Sequence, residues 1–423
     1  MRTAGHGRSR PVLSRGFGVT LALSMGAGPL MLYALTATAP LLTADLGISR
    51  AQLGSLTTAA FLAAALFSPL VGRCADLFSG RAVLVVLFTG AGLALLGAAA
   101  APSYGWLVAA TVLCGAAQAL SNPVTNQLIA ANLPQGRRGR LMGVKQSGVQ
   151  MSQFGAGLVL PSVALVWGWR GAAGVAAIAA TAGLVLVRRS IPAGSPRPVA
   201  GPTRRLADLP AAVWWLTAYA LATGAALQAT NVYLPLYGFE RLDMSVRAAG
   251  FTAAVAGGVG LIARIAWGRA ADRVRRPRVP LIALALASAL AACSILAAEQ
   301  LHAPALVWAG ATLFGASGIA ANVVIMLALM RATPLHVVGT ASGILAVGLY
   351  VGFAVGPLCF GLVVDATGSY LAAWLAVIGT NALAAALALL RRAKRSPAPQ
   401  DRPGGLTPRR PPHPESARNG PAC

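Results

Sequence analysis

The sequence predicts an all-α membrane protein with twelve transmembrane helices in two pseudo-symmetric six-helix halves. Three observations predict it: the composition, a series of twelve long apolar runs, and a short motif repeated six runs apart. The chain has 423 residues, of which 57% are hydrophobic and only 10% charged. Its mean hydropathy is +0.69, whereas a soluble domain carries about 25% charge. The net charge of +24 rests on 34 Lys and Arg against 10 Asp and Glu. A nucleic-acid binder of that charge would carry dense basic clusters interleaved with aromatics on a polar background, and this chain does not. Its hydrophobicity excludes disorder. Five scattered Cys exclude a disulfide scaffold.

A helix needs about 20 apolar residues to cross a bilayer. Such runs occur at roughly 17–42, 52–71, 82–101, 106–131, 141–166, 171–187, 213–238, 249–268, 279–298, 304–330, 339–363 and 370–390. The first is flanked by Arg2, Arg8, Arg10 and Arg15, as a signal peptide would be. Its apolar stretch is too long for an h-region, so it reads as a retained first span. An even number of spans puts both termini on one side. With the N-terminus inside, 28 of the 34 basic residues fall in inside segments and four in outside loops. The positive-inside rule then makes both termini cytoplasmic, in a multi-pass protein of the inner (cytoplasmic) membrane. The expected organisation is a tail at 1–16, an N-terminal half at 17–187 and a Pro/Arg-rich linker at 188–212. A C-terminal half at 213–390 and a disordered basic tail at 391–423 follow.

After the second span the chain reads Gly72-Arg73-Cys74-Ala75-Asp76, and after the eighth Gly268-Arg269-Ala270-Ala271-Asp272. A shared Gly-Arg-x-Ala-Asp loop six spans apart is the mark of a duplicated unit. These loops resemble the signature of the major facilitator superfamily, over about residues 15–390. The match is incomplete: Leu77 replaces a basic residue, and Ser79-Gly80 stand where Gly-Arg is usual, before Arg81. The resemblance implies gating roles for Asp76, Arg81, Asp272 and Arg273, the acid clamping the neighbouring half in one state. The alternative is a solvated turn. A narrower set is similar to the cyanate/nitroimidazole permease branch. It comprises Ser121-Asn122-Pro123-Val124-Thr125-Asn126-Gln127, then Gly143 to Gln150, then Gly168-Trp169-Arg170.

Polar groups inside a bilayer are costly and face a cavity or another helix. Here they are concentrated. Gln118, Ser121, Asn122, Thr125 and Asn126 share one face of span four, with Pro123 among them. Span five adds Lys145, Gln146, Gln150 and Gln153, span seven Gln228 and Asn231, span ten Asn322, and span one Tyr33. Spans three, six and nine are nearly free of such groups. The expected substrate-binding set is therefore Lys145, Gln146, Gln150, Gln118, Asn122, Asn126, Tyr33, Gln228, Asn231 and Asn322. The bland reading of each amide is an interhelical hydrogen bond.

Lys145 is one of only two lysines. It reads either as an anion ligand in the cavity or as a side chain snorkelling to the cytoplasmic surface. Arg264 reads as a partner of Asp272 or of lipid ahead of a substrate ligand. No Asp or Glu lies in the middle of a span, which disfavours a cation/proton antiporter. No catalytic constellation, metal spacing or phosphate-cradling loop appears, so no enzyme, metal or cofactor is expected. The expected function is alternating-access transport of a small organic or inorganic anion, with or without a coupled proton, by a monomer in the lipid bilayer without nucleic acid. The alternatives are efflux of a neutral drug-like compound and a non-transporting sensor on the same fold.

Overall fold

The computed structural model describes residues 16–133, 135–191, 209–273, 278–333 and 337–390, and in these it leaves the side chains of 69–76, 135–140 and 271–273 undescribed. Residues 1–15, most of the expected linker (192–208) and the tail 391–423 lie outside the described residues.

The first crossing is α1 (Phe17–Ala37) followed by α2 (Ala39–Leu46). The crossing extends to Leu46, beyond the expected end at 42, and breaks at Thr38, with φ −111 and ψ 14. Pro40 explains the break, because it offers no N–H to the Thr36 carbonyl and its ring crowds that turn. α3 (Arg50–Leu77) and α4 (Gly80–Ala99) follow. The fourth crossing divides into α5 (Tyr104–Ala119) and α6 (Ser121–Asn132). The break falls where Pro123 cannot bond the Ala119 carbonyl.

Spans five and six are one assigned helix, α7 (Gln135–Ser190), turned back at Gly168 with φ 69 and ψ 172. That conformation is open essentially to glycine alone. The second half comprises α8 (Ala211–Arg241), α9 (Val246–Arg273), α10 (Arg278–Gln300) and α11 (Ala305–Phe314). A π turn (Gly315–Ile319) then leads to α12 (Ala321–Ala332), α13 (Val338–Thr367) and α14 (Tyr370–Leu390).

Among the described residues, ten segments are long and apolar enough to cross a membrane. One of them, Leu141–Ser190, is bent at Gly168 and supplies two crossings. The twelfth is α8, 31 residues long. Its Trp214, Trp215, Tyr219 and Gln228 dilute its apolar character. Both Gly-Arg-x-Ala-Asp segments, read from sequence as loops, belong instead to the last turns of α3 and α9.

Glycines set how closely the helices approach within each half. A Cβ on Gly148 of α7 would lie 1.8 Å from the Ala22 carbonyl oxygen of α1. The second half repeats the arrangement: a Cβ on Gly356 of α13 would lie 2.1 Å from the Ala225 carbonyl oxygen of α8. α1 and α8 are consequently enclosed on nearly every side. α4, α10 and α14 instead present Val86, Leu93, Leu286, Leu290 and Leu383 outward, as lipid-facing helices would.

The halves meet along two seams. In one, Gly157 and Phe154 of α7 pack on Ala254 and Gly257 of α9. In the other, Gly54 of α3 lies against the Pro357 carbonyl of α13, and Thr58 Oγ1 donates to the Ala354 carbonyl at 2.5 Å. One end of the bundle, here the Arg50 end, closes with a polar latch. The Asp365 carboxylate of α13 accepts the backbone N–H groups of Arg50 (3.1 Å) and Ala51 (2.8 Å) at the start of α3. Arg50 Nη2 reaches both Glu240 oxygens at 3.1 Å, and Tyr370 donates to Glu240 at 2.8 Å. The Tyr233 hydroxyl lies 2.6 Å from the Arg50 carbonyl and 3.0 Å from that of Pro357.

Candidate functional site

Mid-bundle, the Pro123 break turns the polar face of α6 toward α7, and Lys145 fills the gap. Its Nζ donates to Asn122 Oδ1 (3.2 Å), Thr125 Oγ1 (3.0 Å) and Asn126 Oδ1 (2.5 Å). An ammonium has three N–H groups, so this cage engages all of them. The side chain is 1% exposed and does not snorkel. Its three partners are neutral, and no carboxylate pairs with it among the described residues. Lys145 therefore joins α6 to α7 and deposits a positive charge in the interior, with no N–H left in this conformation for direct contact with a solute.

Arg264 of α9 is the second cation at this level. Its Nε donates to the Ile319 carbonyl at the end of the π turn (3.2 Å). Nη1 reaches across the seam to the Gln146 carbonyl at 3.5 Å, a marginal bond. Guanidinium has five N–H groups, so the others have no protein acceptor among the described residues. Arg264 points between the halves and is not on the lipid surface, which corrects that part of the sequence reading. The Asp272 side chain, its other expected partner, lies outside the described residues.

The remaining amides divide by location. Asn126 and Gln146 are exposed and Asn122 half-buried, and the Asn122 amide pairs with the Tyr350 phenol of α13 in the opposite half. Tyr33 of α1 lies buried within electrostatic reach of Arg264. Toward the Arg50 end, Gln153 Nε2 donates across the seam to Asn231 Oδ1 (3.0 Å), and Asn231 Nδ2 in turn to Gln228 Oε1 (3.4 Å). Three amide oxygens, Gln118 Oε1, Gln150 Oε1 and Gln153 Oε1, are buried without a partner. Asn322 is half-buried at the start of α12, three residues beyond Ile319.

The interhalf hydrogen bonds named here all lie at the Lys145–Arg264 layer or on its Arg50 side. Asp76, Asp272 and Arg273 have helical backbone, and their side chains lie outside the described residues. Arg81 Nη2 donates to the Arg188 carbonyl at 3.4 Å, a contact within the first half and not across the seam.

Sequence reasoning assigned no role to Arg50, Glu240 or Asp365, which fall in loops or at span ends, and missed Tyr350 and the Ile319 carbonyl. No periodicity distinguishes them, because their partners lie from 55 to 315 positions away in the chain.

The duplicated helix-bundle halves, the enclosed α1 and α8 and the polar layer between them agree with the sequence comparison. The sequence model of the Major Facilitator Superfamily matches residues 21–357. The chain belongs to the Major Facilitator Superfamily. It is a multi-pass membrane transporter and not an enzyme. Similar curated proteins from two strains of Mycobacterium tuberculosis are named "Probable nitrate/nitrite transporter NarK2". Each is 28% identical over 390 residues, covering 83% of this chain and 90% of its own.

Among solved superfamily structures, a D-xylose-proton symporter superposes with TM-score 0.73 at 18% identity, over 89% of this chain and 97% of its own. A bacterial homologue of the human lysosomal transporter Spinster, inward-facing and occupied, superposes with TM-score 0.72 at 15% identity. That match covers 88% of this chain and 95% of the homologue. At these identities the likeness concerns the superfamily fold.

Proposed function

We propose that the chain is a secondary active or facilitative transporter of a small anion, working by alternating access between its two halves. One observation carries the reading: two cations, Lys145 and Arg264, occupy one mid-bundle layer, and every partner they have among the described residues is neutral. Uncompensated charge in a low-dielectric interior is costly and marks an ion path. A solute anion would compensate it. Arg264, with spare N–H groups facing the seam, would bind the anion directly. Lys145 would act through its field and by holding the α6 face in place. Asn122, Asn126, Gln146 and Tyr33 would complete the layer.

The excess of Arg at the termini and intervening segments supports a topology with both termini in the cytoplasm and the chain in the cytoplasmic membrane of a bacterium. The Arg50 end then faces outward, and its latch describes an inward-facing state. The nitrate/nitrite name of the curated relatives supports a small inorganic or organic anion. The resemblance of Ser121–Gln127, Gly143–Gln150 and Gly168–Arg170 to the cyanate/nitroimidazole permease branch is compatible with it, cyanate being a small monoanion like nitrate. A proton, if coupled, would travel with the anion, since the span interiors offer no carboxylate to carry it.

Uptake into liposomes containing the purified chain tests the reading. Nitrate or another small monoanion should accumulate. Arg264→Gln should lower the rate at least about tenfold, the loss of one charged hydrogen bond. Transport of neutral drug-like compounds at rates indifferent to Arg264 would overturn it.

A further inference from the structure

We propose that the transported anion carries its own hydrogen-bond donor and that Gln150 is the residue that reads it. The inference rests on the anion reading above and narrows its substrate class.

Gln150 is 2% exposed, and its Oε1 has no partner. The packing of α7 on α9 locates it. Gln153 packs on Gly257, and the Gln146 carbonyl receives Arg264. The two helices run antiparallel along this seam, so Gln150, between Gln146 and Gln153, comes level with Gly260. Gln146, Gln150 and Gln153 follow at i, i+4 and i+7, one stripe facing the opposite half. A Cβ on Gly260 would lie 2.6 Å from Ile319 Cγ2, and Ile319 supplies the carbonyl that holds Arg264. Gln150, Gly260, Ile319 and Arg264 thus converge within about one helical turn, roughly 6 Å along the axis.

The polarity of the site follows from its amides. Gln153 donates to Asn231 and Asn231 donates to Gln228, a chain that leaves the Gln153 oxygen unpaired. With Gln118 and Gln150, three unpaired acceptors lie on the Arg50 side of the cations. Arg264 supplies donors and positive charge. A ligand matched to both sides presents negative oxygen to Arg264 and an O–H or N–H to Gln150. Nitrate has no such hydrogen. Hydrogencarbonate has the same planar shape and carries one, as do small hydroxy- or amido-carboxylates. A buried acceptor left unpaired penalises the ligand that lacks the donor.

Binding to the purified full-length protein, by calorimetry or by the thermal shift that mass action produces, tests this. The probes are two matched pairs, nitrate with hydrogencarbonate and acetate with glycolate, at a mildly alkaline pH where all four are monoanions. The donor-bearing member of each pair should bind at least about tenfold more tightly. Gln150→Met should bring both ratios to near one, with the nitrate and acetate affinities rising toward those of their donor-bearing partners as the unpaired acceptor is removed. Equal binding within each pair by the wild-type protein overturns the proposal without any variant. A preference that survives Gln150→Met overturns the assignment to Gln150. Arg264→Gln separates the two levels. If it abolishes all anion binding while the wild-type ratios are one, the anion reading stands and this inference falls. If all four anions bind equally with and without Arg264, both fall.

Discussion

The latch at the Arg50 end makes a quantitative prediction about which state the protein prefers. Asp365 caps the first turn of α3 from the opposite half, its carboxylate accepting N–H groups at 3.1 and 2.8 Å. Replacing a helix cap by Ala costs about 1 kcal/mol, and hydrogen bonds to a charged group are worth about 1.5–3 kcal/mol. Because α3 N–H groups regain water when the halves part, the lower figure governs, about 1.5–2 kcal/mol. That is a shift of roughly 10- to 30-fold in the balance between the closed and open Arg50 end.

The Arg50–Glu240 pair has more contacts and a smaller effect. Its side chains are 44% and 20% exposed, and exposed ion pairs contribute about 0–1 kcal/mol. Spin labels at Gly47 and Ser369, one in each half near this end, would report the separation by pulsed dipolar spectroscopy, with the exposed native cysteines replaced. Asp365→Ala should move population clearly toward the long distance, Asp365→Asn less so, and Glu240→Gln least. Unchanged distances in Asp365→Ala, or a larger effect from Glu240→Gln, would refute the trans-capping argument.

Further expectations concern the cage, the helix contacts and the outer corner. Lys145→Met should lower the thermal midpoint of the detergent-purified protein, because the buried Thr125 hydroxyl and the Asn122 and Asn126 oxygens lose their donor at about 1–3 kcal/mol in total. Lys145→Arg should not restore the midpoint, since a planar guanidinium does not fit a cage built at 2.5–3.2 Å around a single nitrogen. Gly148→Val should reduce the monodisperse fraction in gel filtration sharply, because its side chain would meet the Ala22 carbonyl and force α7 off α1 at more than about 3 kcal/mol.

Asp45 holds the Gly168 corner: Arg170 donates to it at 2.5 Å and Trp169 at 3.1 Å, and these bonds, Arg170's first, keep its carboxyl below the ordinary Asp range. A depressed folded value means that its stabilisation is present above the unfolded Asp value and disappears as pH falls through the folded one. The difference in melting temperature between wild type and Asp45→Asn should therefore be present at neutral pH and vanish in acid. A difference that grows in acid would contradict the assignment.

Much of the architecture was legible because lipid imposes a simple rule on sequence. Twelve runs, the reversal near Gly168 and the polar face of α6 could all be read from hydropathy, one glycine and helical spacing. Lys145 was legible as an oddity, a buried lysine in an arginine-rich chain. Its engagement was not, because three acceptors at 2.5–3.2 Å are a matter of packing between α6 and α7. Arg264 was misjudged for a related reason. Its position near the end of a span fits a lipid anchor equally well, and only the approach of α9 to α7 turns it inward. The latch escaped notice because Arg50, Glu240 and Asp365 sit at span ends, where charged residues are ordinary.

The π turn at Gly315–Ile319 has a consequence for how this chain can change over evolution. A π turn accommodates one residue more than an α-helical path of the same length. The tenth crossing therefore carries a built-in surplus residue, whereas the fourth crossing makes its break with Pro123. Removing one residue between 315 and 319 would leave a continuous α-helix over the same path, with Asn322 and everything beyond it kept in register. A homologue could thus lose a codon here and keep both its fold and the helix face it presents to the polar layer. A deletion at a comparable depth in α8 or α1 would misalign a helix packed on all sides. Length variation inside the membrane, rare elsewhere in such a bundle, has one tolerant position, and it adjoins the carbonyl that holds Arg264.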